Sequence, residues 1–216
     1  MTKTVAKRTT TKAANPRRVG LKTIEAEAAQ CRRCPLWRRA TQTVFGSGPR
    51  NAIIMFVGEQ PGDKEDVQGE PFVGPAGQLL RASLAEAGID VDSVYLTNAV
   101  KHFKWREGGK RRLHERPNYE EILACRLWLD SEIATVKPRV LVALGATAAS
   151  VLLPKAKVTR DRGKRFPSPL AEIVTLTVHP SAILRAPDSE SRAEGRRQFV
   201  KDLRAIKRMA SQASRG

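Results

Sequence analysis

Four short polar stretches and three cysteines hold the residue types in this 216-residue sequence that could do chemistry. Gly58-Glu59-Gln60-Pro61-Gly62 sets a carboxylate and an amide side by side between glycines. Asn98 offers an amide donor and acceptor, Gly145-Ala146-Thr147 is a small-residue turn, and His179-Pro180-Ser181 offers an imidazole. Each stretch directly follows an apolar run, so all four read as the ends of strands. In a parallel sheet covered on both faces, ligands bind beyond the carboxyl ends of the strands, and groups at those ends share one rim.

The cysteines call for separate treatment. Three cannot pair completely, and a reducing cytoplasm disfavours disulfides. Cys31 and Cys34 form a Cys-x-x-Cys pair, and Cys125 lies on an expected helix. A tetrahedral site needs a fourth ligand, and His102, one of only three histidines, sits just past the second strand. Thiolate-rich sites take zinc or iron–sulfur clusters, which spacing does not separate. A plain buried Cys125 beside an incidental pair is the alternative.

Composition narrows the partners. With 39 Lys and Arg against 22 Asp and Glu, the net charge is +17. That excess is larger than the net charge of roughly 2 to 8 that solubility asks of a small domain, and it points to a polyanion such as nucleic acid. No run reaches the roughly 18 to 20 apolar residues of a membrane span, and the basic start lacks the apolar segment of a secretory signal. The expectation is a cytoplasmic protein with no membrane partner.

The elements that position the strand ends follow from periodicity. Residues 1–22 carry seven basic and no acidic residues and read as a disordered arm, with one domain over 23–210 and a flexible tail over 211–216. Helices are expected from Thr23 as cap to Gln30, over 76–87 closed by Gly88, over 119–133, from Gly145, and over 191–209 with Phe199, Leu203 and Ile206 as its apolar stripe. Strands are expected over 52–57, 93–97, 139–144 and 172–178. The predicted fold is a three-layer α/β/α arrangement around a mainly parallel four-stranded sheet.

Over residues 24–210 the sequence resembles the uracil-DNA glycosylase superfamily, in particular its iron–sulfur family 4 and the covalent-binding branch called UdgX. Residues 58–62 resemble the first glycosylase motif, Glu70-Pro71-Phe72-Val73-Gly74-Pro75-Ala76-Gly77 the uracil-stacking segment, and His179-Pro180-Ser181-Ala182-Ile183-Leu184-Arg185 the second motif. Two features are similar to UdgX: His102 where ordinary members have cysteine, and the insertion Gly108-Gly109-Lys110-Arg111-Arg112-Leu113-His114, with Leu where that branch has Ile. The resemblance implies a [4Fe–4S] cluster on Cys31, Cys34, His102 and Cys125. It implies a monomer acting on uracil-containing DNA, single-stranded or duplex.

The implied chemistry assigns roles. A base must be flipped out of the helix into a pocket. Phe72 would stack on it, and the Asn98 amide would match uracil and mismatch cytosine. Gly58 allows close approach, and Asp63 with Gln60 forms a wall against thymine. His179 would stabilise charge on the departing uracil. Glu59 would lie beneath the sugar cation, and Gln60 would bond the uracil or a water. Lys110, Arg111, Arg112, Ser181 and Arg185 would hold DNA, and the charges of residues 110–112 would keep His114 neutral and nucleophilic. Attack of His114 on the sugar would leave a lasting adduct. A water-using multiple-turnover glycosylase and a non-catalytic DNA-binding module are the competing readings.

Overall fold

The protein is described by a computed structural model over residues 20–109 and 111–213. The core of the fold is a five-stranded sheet of order β2-β1-β5-β7-β6. Four strands are parallel: β1 Ile54–Gly58, β2 Tyr95–Asn98, β5 Val140–Leu144 and β7 Ala171–Thr177. The fifth, β6 Phe166–Ser168, pairs antiparallel at the edge, so the expected four-stranded sheet is corrected to five. Three residues with Pro167 in the middle carry no alternation to read, and an edge is where a sheet tolerates proline.

Side chains alternate between the two faces of each strand. Phe56, Leu96, Val142 and Leu144 face one layer, built from α3 Pro75–Glu86 and α8 Ser189–Ala213 and closed by Leu80, Leu84, Phe199, Leu203 and Ile206. Met55, Val57, Leu141 and Ala143 face the other, built from α4 Tyr119–Val136 and α5 Gly145–Leu152. A smaller cluster under α1 Leu21–Ala29 gathers Ile24, Ala28, Phe45 and Val100 around Cys31, Cys125 and Trp128.

Several boundaries move. The first helix starts after Gly20 and is not capped by Thr23, and α8 runs on through residues 211–213, which were expected to be tail. The rest of the arm, residues 1–19, and residues 214–216 lie outside the described residues. Short helices α2 Asp63–Gln68, α6 Val158–Asp161 and α7 Pro180–Leu184 fill stretches expected to be loop. Within the 108–114 insertion, Gly108 ends the first strand and Arg111–His114 form the second strand of a hairpin, β3 Trp105–Gly108 with β4 Arg111–His114, in which Trp105 pairs with His114.

A buried ion pair ties the edge of the sheet to α4. Lys101 and Glu132 are both fully buried, with Lys101 Nζ 2.5 Å from Glu132 Oε2. Lys101 Nζ also donates to Thr97 Oγ1 at 2.6 Å and to the Asn98 carbonyl at 2.8 Å. The carboxylate accepts from Thr97 Oγ1, Tyr95 Oη and the Gly46 N–H. Removing one partner strands a charge in low dielectric. Glu132→Ala therefore lowers the unfolding free energy by about 3 to 5 kcal/mol in a urea titration. A loss under about 1 kcal/mol, the range of an exposed pair, contradicts this placement.

Candidate functional site

The sheet register brings Gly58 beside Asn98 at the carboxyl ends of β1 and β2. A Cβ at position 58 would collide with Asn98 Oδ1 and stand 2.9 Å from the Phe72 ring. Glycine is what lets the amide and the ring converge. Phe72 itself holds φ 59°, a left-handed conformation rare outside glycine. Glu65 keeps its loop in place by accepting the Gly74 N–H at 3.0 Å. The ring is 4% exposed and belongs to the core cluster, yet it also lines a cavity of about 950 Å³. Asn98 lines the same cavity, and its side chain makes no hydrogen bond among the described residues, leaving donor and acceptor available to a ligand.

His179 N-caps α7. Its Nδ1 accepts the Ser181 N–H at 3.1 Å and lies 2.8 Å from Ser181 Oγ. The network therefore assigns the ring proton to Nε2. Burial, with the charges of Arg185 and His114 adding to it, lowers its pKa to about 4. The ring lies 6.3 Å from that of Phe72 at an interplanar angle of 29°. A Cβ on Gly145, which holds φ +85°, would stand 2.9 Å from His179 Cβ, so glycine lets the chain after β5 run close to His179. The site thus holds a neutral N–H donor beside a stacking face.

Glu59 and Gln60 do different work. Gln60 Oε1 accepts the Lys104 N–H at 3.0 Å, which fixes the amide's orientation. Its Nε2 faces the Lys104 carbonyl at 3.1 Å, the Glu115 carbonyl at 2.9 Å and His114 Nε2 at 2.9 Å. With two protons for three acceptors, this amide is fully engaged. The expected bond to uracil or water is corrected to a clamp across the base of the hairpin. Glu59 Oε2 accepts a short hydrogen bond from Thr147 Oγ1, and Glu59 Oε1 lies 3.4 Å from His114 Nε2. Arg116 Nε donates to Thr147 Oγ1 at 3.1 Å and stands 3.9 Å from Glu59 Oε2. Thr147 and Arg116 were not singled out by sequence. Thr147 sits in a noted strand-end turn, but its hydroxyl finds Glu59 only through an 88-residue separation.

His114 lines the cavity, half-exposed, with its pKa lowered by burial and by Arg185 while Glu59 opposes the shift. Of the charges expected to cause the shift, Arg111 and Arg112 are not among its causes. Arg112 turns away to Asp63 Oδ1 at 2.5 Å and Asp66 Oδ2 at 2.6 Å. Its guanidinium is taken up inside the protein, so the expected phosphate contact is corrected to a brace between β4 and α2. Asp63 lines the cavity but is held by that same arginine. Lys110 lies outside the described residues. Arg111 is exposed, and Arg185 lines the cavity with no side-chain partner among the described residues. Ser181 is drawn inward onto His179.

The cysteines sit apart from the cavity. Among the described residues, no group of three or more His, Cys, Asp or Glu side chains converges as a single metal ion would need. Burial pushes the Cys125 thiol up to about 12 and raises Cys34, and the neighbouring sulfurs of the trio add to both shifts. The three sulfurs therefore share one electrostatic volume. Cys31 Sγ faces the Trp128 indole N–H and Cys125 Sγ the Lys101 N–H, each at 3.2 Å. His102 is 4% exposed, with Nε2 2.9 Å from Thr43 Oγ1, and Thr43 donates its own proton to the Ala28 carbonyl. Nε2 must then carry the ring proton, which leaves Nδ1 as a lone-pair donor. Three thiols, two of them facing N–H donors, and an oriented imidazole fit the ligand set of an iron–sulfur cluster.

A doubly covered parallel sheet, with a strand-end cavity that joins a stacking ring, an available amide and a neutral imidazole, defines a class built to receive one flat hydrogen-bonding heterocycle. Residues 45–204 match the Uracil DNA glycosylase superfamily. The chain is 36% identical over 199 residues to a type-4 uracil-DNA glycosylase of Sulfurisphaera tokodaii, covering 88% of this chain and 84% of that protein. It is 39% identical over 171 residues to that of Thermotoga maritima, covering 78% and 85%. A type-5 uracil-DNA glycosylase of Pyrobaculum aerophilum is 31% identical over 137 residues, covering 56% and 57%. The chain belongs to the uracil-DNA glycosylase superfamily.

The lowered value of His179 has a consequence for stability. Its folded-state pKa of about 4 lies below the 6.5 of an ordinary histidine, so the unfolded chain takes up a proton that the folded protein resists. The group is neutral toward stability above pH 6.5 and destabilises the fold as pH falls from there toward 4, by up to about 3 kcal/mol. Urea midpoints of the wild type should fall more steeply across this window than those of His179→Gln. Parallel curves contradict the assignment.

Proposed function

We propose that the protein flips uracil out of DNA, cuts it from its sugar, and remains attached to the sugar through His114. The observation that carries the reading is the placement of His114 Nε2 at 2.9 Å from the Gln60 amide and 3.4 Å from Glu59, in the cavity that holds Phe72, Asn98 and His179. Phe72 stacks on the flipped base, and the Asn98 amide reads its edge. As the C1′–N1 bond breaks, its electron pair passes to the uracil, and the Nε2 proton of His179 stabilises that charge. The Glu59 carboxylate, aimed by Thr147, stabilises the sugar cation. The lone pair of one His114 nitrogen then bonds C1′, and the proton on the other nitrogen is lost, leaving a neutral N-alkyl imidazole that is a poor leaving group.

A held imidazole outcompetes bulk water because effective molarities of oriented groups reach about 10⁵ to 10⁸ M. Likeness to the type-4 relatives supports a second reading, in which water attacks and the protein turns over. The same likeness, with the donor set around His102, supports a [4Fe–4S] cluster on Cys31, Cys34, His102 and Cys125. Its part would be structural, joining the segment after α1 to α4.

A denaturing gel of protein with single-stranded uracil DNA tests the function. The wild type gives a slow DNA–protein band that survives heat and detergent, whereas His114→Ser gives free abasic DNA while keeping the visible absorbance of the cluster. An abasic product without any band from the wild type contradicts trapping, and a band from His114→Ser contradicts the role of His114.

A further inference from the structure

Residues 155–165 put six basic residues and one acidic residue into eleven positions, and the site chemistry uses none of them. The segment is built around its one acid. Asp161 is 5% exposed and accepts the Lys157 N–H at 3.0 Å, the Arg160 guanidinium at 2.8 Å and Lys164 Nζ at 3.0 Å. Those donors, the Arg160 guanidinium first, hold its carboxyl below the usual carboxylate range. The Gly163 N–H bonds the Leu176 carbonyl at 2.9 Å, and Arg162 Nε reaches Asp202 on α8 at 2.5 Å. The backbone is therefore tied to β7 and α8, while Lys155 and Lys157 stay exposed with no side-chain partner among the described residues. Val158, between these anchors, lines the cavity that holds His114 and Glu59.

We propose that this pinned segment is a docking surface for the DNA backbone: Lys155 and Lys157 hold phosphates on one flank of the flipped nucleotide. The inference rests on the uracil-DNA reading and extends its footprint past the pocket. It adds cations to the footprint, whereas Arg112 of the hairpin is engaged by Asp63 and Asp66. A segment tied down before binding loses little freedom on contact, so its charges act as a fixed rim.

Equilibrium binding tests this, with a single-stranded oligonucleotide carrying 2′-fluorinated deoxyuridine, whose glycosidic bond resists cleavage. The double variant Lys155→Glu/Lys157→Glu should bind about tenfold more weakly, with a log–log salt slope shallower by about 1.4, or about 0.7 for each of two phosphates. The deficit should shrink as nucleotides are removed from one side of the uracil only. Lys207→Glu/Arg208→Glu is the control of equal charge change, because Lys207 lies beside Ile53 and Ile54 at the opposite end of β1. Equal weakening by both double variants assigns the effect to net charge and overturns the proposal, as does wild-type affinity and slope in the first. A wild type that does not prefer this oligonucleotide over its thymidine counterpart overturns the uracil reading and the proposal together.

Discussion

The side-chain amide of Gln60 meets three acceptors with two protons, and the geometry of the site depends on that crowding. Its oxygen is fixed by the Lys104 N–H, so the amide cannot turn over to serve a ligand. It instead joins the loop after β1 to both feet of the hairpin, the residue before β3 and the residue after β4. A four-residue strand pair is marginal by itself in water. Gln60 on one side, and the Arg112 brace to Asp63 and Asp66 on the other, convert it into a fixed arm. His114 thus faces Glu59 because the chain on each side of it is held.

Electrostatics then sort the charged and neutral groups. The carboxylates are given hydroxyl and cation partners: Thr147 and Arg116 for Glu59, Lys101 and Thr97 for Glu132. Loss of water, with Arg185 adding to it, instead lowers His179 and His114, against the pull of Glu59 on His114, and favours uncharged imidazoles. A neutral His179 can still donate from Nε2, and a neutral His114 keeps a lone pair. The same nine-residue stretch from Tyr95 to Phe103 carries Asn98 at the cavity, the buried Lys101 and His102, and its Lys101 N–H meets Cys125, so the cavity and the cysteines share one piece of backbone.

Much of this was legible in the sequence because the central strands are almost wholly apolar and their polar ends stand out. Glu59, Asn98, Gly145 and His179 do meet at one cavity, as parallel strands require. The hairpin was not legible, because Trp105-Arg106-Glu107-Gly108 and Arg111-Arg112-Leu113-His114 are charged on both faces and show no period of two. A Gly-Gly pair before a basic run was its one signal, and Gly109 takes a positive φ at the turn. The destination of Arg112 was hidden for a different reason: its partners lie 49 and 46 residues away, on a helix too short to announce itself. Lys101, between Val100 and His102, was not singled out in the sequence, and nothing local to it names its partner Glu132.

The central claim is that a clamped imidazole reaches the sugar before water does. Peptide mapping by mass spectrometry, after wild-type protein has reacted with a short uracil oligonucleotide and been digested, tests it most directly. The account predicts that the peptide containing His114 carries the mass of the base-free DNA fragment, localised to the imidazole. The same mass on another residue, or unmodified protein beside fully abasic DNA, would contradict it.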